Sequence, residues 1–170
     1  AMRKVGAPRF NKDDIAFANE LKKSVPKDSL DGIYKLLPPD KLELAKVILS
    51  QPLNKLIVPP IGKGMKIVMK GSTDVGDVSW KLPLGEFGTA CEVMGSPGHS
   101  WQNAATSGMS IGHKGMMTAA KILAISALDF MKNPDLVEKA KKEHDSSHKD
   151  KPYKSPLPEG LKTPHLRLKN

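Results

Sequence analysis

Cysteine occurs once in these 170 residues, at Cys91, which excludes an internal disulfide and any Cys-x-x-Cys metal or redox pair. Its apolar surroundings read as those of a buried, inert thiol. Arginine occurs only at Arg3, Arg9 and Arg167, and aromatic residues make up 5% of the chain. The planar cations and stacking rings on which nucleic-acid clamps depend are therefore scarce. No run of eighteen apolar residues exists, and Ala1-Met2-Arg3-Lys4 leads into no apolar segment. Neither a membrane-spanning helix nor a secretory leader is expected, and a cytoplasmic setting is the default. The sequence also has no glutamate doublet and no His-Glu-x-x-His pair, so no complete metal set can be closed from local motifs.

What is present fits one domain with a modest core: 39% hydrophobic residues over 170 positions. The net charge of +9 comes almost wholly from lysine spread along the whole chain. That pattern reads as a solvated basic surface rather than a nucleic-acid footprint. Helices are expected over residues 12–25, opened by Asn11 as N-cap with Asp13 and Asp14 in the first turn, and over 40–50, opened by Pro39-Asp40. Two more are expected over 110–132 and 134–145, divided by Asn133-Pro134. In the third helix Met116, Ala119, Ala120, Leu123, Ala127 and Met131 form a nearly continuous apolar face, whose alanines suit close packing on a sheet. Lys66–Lys70 and Gly88–Met94 read as short strands, each running into a glycine-bearing phrase. Asn54–Lys63 reads as loop. The expected fold class is thus α/β, a short sheet flanked by helices, with residues 1–150 as the folded portion and 151–170 as an extended, Lys-, Ser- and Pro-rich tail.

The residues suited to chemistry collect in three phrases: Gly71-Ser72-Thr73-Asp74-Val75-Gly76-Asp77-Val78-Ser79-Trp80, Pro97-Gly98-His99-Ser100-Trp101-Gln102 and Ser110-Ile111-Gly112-His113-Lys114-Gly115-Met116. Glycine brings backbone close to a ligand, and Ser, Thr, Asp and His bring hydrogen-bonding or metal-binding atoms. Asp74 and Asp77 either face a common space or bond to nearby backbone amides, the second being the commoner arrangement. His113 falls on the first turn of its helix, where shaping a site and simple packing are both open. Trp80 and Trp101 adjoin the phrases as pocket walls or, more often, as core anchors. His144, His148 and His165 show no spacing that assigns them a role.

In this order and spacing the phrases resemble the zinc-dependent amidohydrolases of the aminoacylase and carboxypeptidase type. The branch most resembled is that of the B subunit of aminobenzoyl-glutamate hydrolase. The likeness runs from about Val5 to Pro152 and includes Val5-Gly6-Ala7-Pro8-Arg9-Phe10 and the region of Phe17-Ala18. It implies the second part of a zinc-peptidase-like catalytic domain, and metal-assisted hydrolysis of an amide in an N-acyl or aminobenzoyl amino acid. It also implies that His99 is the family's late metal ligand. Gly71, Ser72, Thr73, Asp74, Asp77 and His113 would be substrate-binding or would stand behind the metal ligands. No catalytic residue is assigned within this chain. Such enzymes carry most of their ligands and the general-base carboxylate in a first part that has no counterpart here. The expectation is a chain that is inactive alone and holds no metal tightly, with zinc or manganese bound only in the completed enzyme. Its partner would be the missing N-terminal portion or a second copy. The alternative is a noncatalytic interaction or oligomerisation subunit.

Overall fold

The computed structural model describes residues 1–58 and 73–161. Among them are eight helices: α1 Met2–Val5, α2 Lys12–Lys22, α3 Asp31–Leu36, α4 Pro39–Ser50, α5 Val75–Lys81, α6 Trp101–Ser107, α7 Ser110–Lys132 and α8 Pro134–His148. The described residues fall into two compact units, 1–58 with 87–132 and 73–86 with 133–161.

In the first unit the entry to α2 follows directly from its sequence. The Asn11 side chain accepts the Asp14 amide and the Asp14 carboxylate accepts the Asn11 amide, each at 2.8 Å, a reciprocal capping box. Ala18 and Leu21, one turn apart, then face inward and join Leu53, Val93 and Ile111 in the core, with Phe10, Phe17, Val25 and Ala105 packed around them. Lys22 extends from the end of α2 to bind the carbonyls of Leu49 and Gln51 at 2.7 Å each, and that of Met94 at 3.4 Å. One ammonium thereby meets the orphan carbonyl of a turn at the end of α4 and ties it to the 88–98 segment. Burial lowers the pKa of Lys22. Lys22→Met is expected to cost about 2 kcal/mol in urea unfolding, because partly buried carbonyls lose a charged donor.

The expected sheet is absent among the described residues, and the α/β assignment is corrected to a helical one. Gly88–Met94 is extended but not a strand; Lys66–Lys70, the other expected strand, lies outside the described residues. A strand requires a ladder, and in this stretch Met94 donates its amide to the lone carbonyl of Pro52 at 2.9 Å. The segment packs against α7 instead. Thr89 donates its hydroxyl to the Gly115 carbonyl at 3.0 Å, and Gly115 is buried under Ala90 and Cys91. Apolar residues of this segment thus find their burial against a helix.

The burial of α7 also differs from expectation. Its buried positions are Ile111, Gly112, Gly115 and Ile122, whereas Met116, Leu123 and Met131 of the expected apolar face are exposed, Met131 by 78%. Ile111, Gly115 and Ile122 follow one helical stripe, and its glycines let α6 and the 88–94 segment approach more closely than the alanine face would. Four of the eight helices, α1, α3, α5 and α6, have no counterpart among those expected from sequence. All are short, and of α3 and α5 neither has a side-chain cap. Asn133-Pro134 separates α7 from α8 as expected.

Candidate functional site

His99 stands in the turn that leads into α6, with an exposed side chain and a positive φ of 57°. It is the only non-glycine residue with positive φ among those described. This conformation costs a side-chain-bearing residue about 1 kcal/mol and tends to be retained where a site needs it. Ser100 follows as N-cap of α6, accepting the Asn103 amide at 3.3 Å. Gln102 in the first turn anchors α6 to the Ser24 carbonyl at 3.1 Å. The helix below His99 is therefore held firmly while its imidazole forms no side-chain hydrogen bond among the described residues. Trp101, beside it, is 61% exposed and is not a core anchor. An aromatic ring at the first position of a capped helix points outward here because Gln102 and Thr106 take the buried face.

His113 lies on the first turn of α7, exposed, on the wall of a cleft it shares with Arg9, Lys114 and Lys121. Lys114 forms an ion pair with Asp14, whose side chain is only 3% exposed. Burial by itself would raise the Asp14 pKa, but the hydrogen bonds from Lys114, Asn11 and Ser110 outweigh it and hold the carboxyl below its ordinary value. Composition and spacing did not reveal this pair, whose members are one hundred positions apart. Glu92 is a second residue the sequence reading passed over. It is half-buried in the 88–94 segment, and burial holds its carboxyl above the usual range.

In the second unit, Gly71 and Ser72 lie outside the described residues. The Thr73 hydroxyl accepts the Val75 amide at 3.3 Å and opens α5, while Asp74 occupies the N-cap position without a side-chain cap. Asp77, on α5, accepts the Tyr153 hydroxyl at 2.9 Å. Backbone bonding in this turn falls to Thr73. Around α5 an aromatic cluster forms that spacing did not signal. Trp80 meets His148 edge-on at 4.7 Å, His148 stacks on His144 at 4.4 Å, and Lys81 lies 4.4 Å above the Tyr153 ring. His144 donates through Nε2 to the Ser79 carbonyl at 3.0 Å, and His148 through Nδ1 to the His144 carbonyl at 2.8 Å. Carbonyls only accept, which sets those protons. The two histidines are structural fasteners at i, i+4 on α8. His165 lies outside the described residues.

The Asp77 carboxylate beside Tyr153 raises the phenol's pKa, since ionisation would break the hydrogen bond and place two anions together. Spectrophotometric titration is expected to show one tyrosine ionising above the ordinary 10.0, with Asp77→Asn returning it toward that value. An unchanged titration in the variant would mean that the contact is not kept in solution.

Among the described residues no three His, Cys, Asp or Glu side chains come together in a metal-binding group. The donor set present does not fit a catalytic zinc or manganese ion, for which three protein ligands are usual. His99 is at most one donor of such a set. No helix among the described residues is long and apolar enough to cross a membrane.

Among curated proteins the chain is similar to one subunit of a hydrolase. That relative is the B subunit of p-aminobenzoyl-glutamate hydrolase from Escherichia coli (strain K12), 28% identical over 163 residues. The match takes in 95% of this chain and 34% of the relative, so the chain spans about a third of that protein's length. No family model matches the chain, and no solved structure does.

Proposed function

We propose that this chain is the C-terminal portion of the catalytic domain of a metal-dependent amidohydrolase acting on an N-acyl or aminobenzoyl amino acid. The observation that carries the reading is the likeness, over 95% of the chain, to a hydrolase subunit of which it spans 34%. His99 is the chain's contribution to the metal set. Its exposed, left-handed position leaves the imidazole open to a metal shared with donors on another portion. That portion supplies the remaining ligands and the proton-carrying carboxylate. His113, Thr73, Asp74 and Asp77, with Gly71 and Ser72, are assigned to substrate contact or to support of the ligands. Zinc or manganese belongs to the assembled enzyme, in a cytoplasmic setting, and the chain alone is inactive.

The test is to purify the chain alone and together with a candidate N-terminal portion, without chelator. Metal content and turnover of aminobenzoyl-glutamate are then measured. The expected result is no turnover by the chain alone, and both stoichiometric metal and turnover in the assembled sample, lost in His99→Ala. Turnover by the chain alone, or an assembled enzyme indifferent to His99→Ala, would overturn it.

A second reading, a noncatalytic interaction or oligomerisation subunit, draws on the exposed Met116, Leu123, Phe130 and Met131 of α7. Association without metal uptake or turnover would favour it.

A further inference from the structure

Apart from His113, the residues that line the cleft beside the start of α7 have no part in the hydrolase reading. The cleft encloses about 680 Å³, within the range of clefts that hold small molecules. Arg9, from the loop between α1 and α2, and Lys121, about three turns along α7, both line it together with His113 and Lys114. No carboxylate is among its lining residues. Lys114 is already neutralised by Asp14. Arg9 and Lys121 form no ion pair among the described residues, although Lys4, a few positions from Arg9, is bound to Asp129 at 3.1 Å. The first turn of α7 carries no acidic residue of its own, and the Asp14 carboxylate beside it is balanced by Lys114.

We propose that this cleft binds a small organic anion, whose dicarboxylate or phosphate head lies between Arg9 and Lys121. A planar guanidinium grips either head through paired N–H donors, and the lysine adds a point charge. Val5 and Met117 supply apolar wall on the same cleft, which suits a ligand with a hydrocarbon body rather than a bare ion. His113 stands beside the head as a further donor. The inference does not rest on the hydrolase reading, because it requires neither metal nor a second portion of chain.

The test uses the 170-residue chain at low ionic strength, titrated with inorganic phosphate and, separately, with succinate, and followed by calorimetry and by amide chemical shifts. Saturable binding of at least one anion is expected, with shifts in the first turns of α7 and around Arg9. The better-bound anion identifies the head as phosphate or dicarboxylate. Arg9→Met and Lys121→Met are each expected to weaken binding about tenfold, the loss of one charged hydrogen-bonding partner. Lys121→Arg should retain it. Lys46→Met, which removes the same charge from α4, is the control and should leave binding unchanged. Circular dichroism confirms folding, and Lys121→Met decides the matter if Arg9→Met does not fold. Absence of saturable binding by both anions, or equal weakening by Lys46→Met, would overturn the proposal. Because none of these readouts is catalytic, their failure leaves the hydrolase reading untouched.

Discussion

Asp14→Ala is expected to lower the unfolding free energy of the chain by about 3 kcal/mol, as measured by urea denaturation. Two losses combine in this substitution. The capping box of α2 loses the group that accepts the Asn11 amide, and Lys114 loses its counter-charge inside the fold. Lys114→Met is the converse test. It leaves a carboxylate that is 3% exposed with the backbone amide of Asn11 and the Ser110 hydroxyl as partners, and is expected to cost about 2 kcal/mol. Because each substitution removes the same interaction, the double variant should fall short of the sum by about 1 kcal/mol or more. Simple addition would mean that the two side chains do not meet in solution.

The same pair sets a pH dependence. Burial pushes the Asp14 pKa up, yet its hydrogen bonds to Lys114, Asn11 and Ser110 bring the folded value below the ordinary 3.8. A carboxyl depressed on folding contributes its full stability above the unfolded value and loses it as pH falls through the folded one. Wild type should therefore lose stability below about pH 4, and Asp14→Asn should show a flatter acid limb. Equal slopes would remove Asp14 as the cause.

Gly112→Ala and Gly115→Ala form the second pair of large expected effects, each destabilising by about 2 kcal/mol despite the gain of about 1 kcal/mol that alanine brings to a helix. A Cβ at position 112 would lie 2.7 Å from the Ser107 carbonyl carbon and 2.8 Å from its Cα, main-chain atoms that no rotamer change can withdraw. At position 115 it would lie 3.0 Å from the Ala90 carbonyl carbon and overlap the Cys91 sulfur. Both substitutions would force α7 away from α6 or from the 88–94 segment. Gly32→Ala supplies the contrast, since a Cβ there meets nothing within 4 Å; it is expected to stabilise by about 0.5 to 1 kcal/mol. Urea unfolding of the three variants checks the ranking. If Gly115→Ala were as stable as wild type, the close packing of α7 on Ala90 would be wrong.

Local chemistry was readable wherever it acts on neighbours in the chain. Asn11 caps α2 through Asp14 three residues away, and Asn133-Pro134 ends one helix and begins the next. Those signals need no tertiary partner. The apolar run at Gly88–Met94 needed one, since such a run serves equally as a strand in a ladder or as an extended segment on a helix. Here Gly115 gave it a helix to lie on. The candidate site was legible only as far as its phrases. His99 and His113 were singled out by residue type and neighbours. Their exposure and the left-handed φ of His99 are properties of the folded backbone.

By itself, then, the sequence determined the four longest helices, the cap of α2, the excess of lysine and the exclusion of disulfide chemistry, because each depends on residue identity within a turn or on a simple count. The tertiary structure alone decided which face of α7 is buried, the pairing of Asp14 with Lys114 across one hundred positions, the stacking of His144 and His148 beside Trp80 and the cleft at Arg9 and Lys121. Each of these turns on which distant groups share a small volume once water is excluded, and burial and charge neutralisation are decided there and not along the chain.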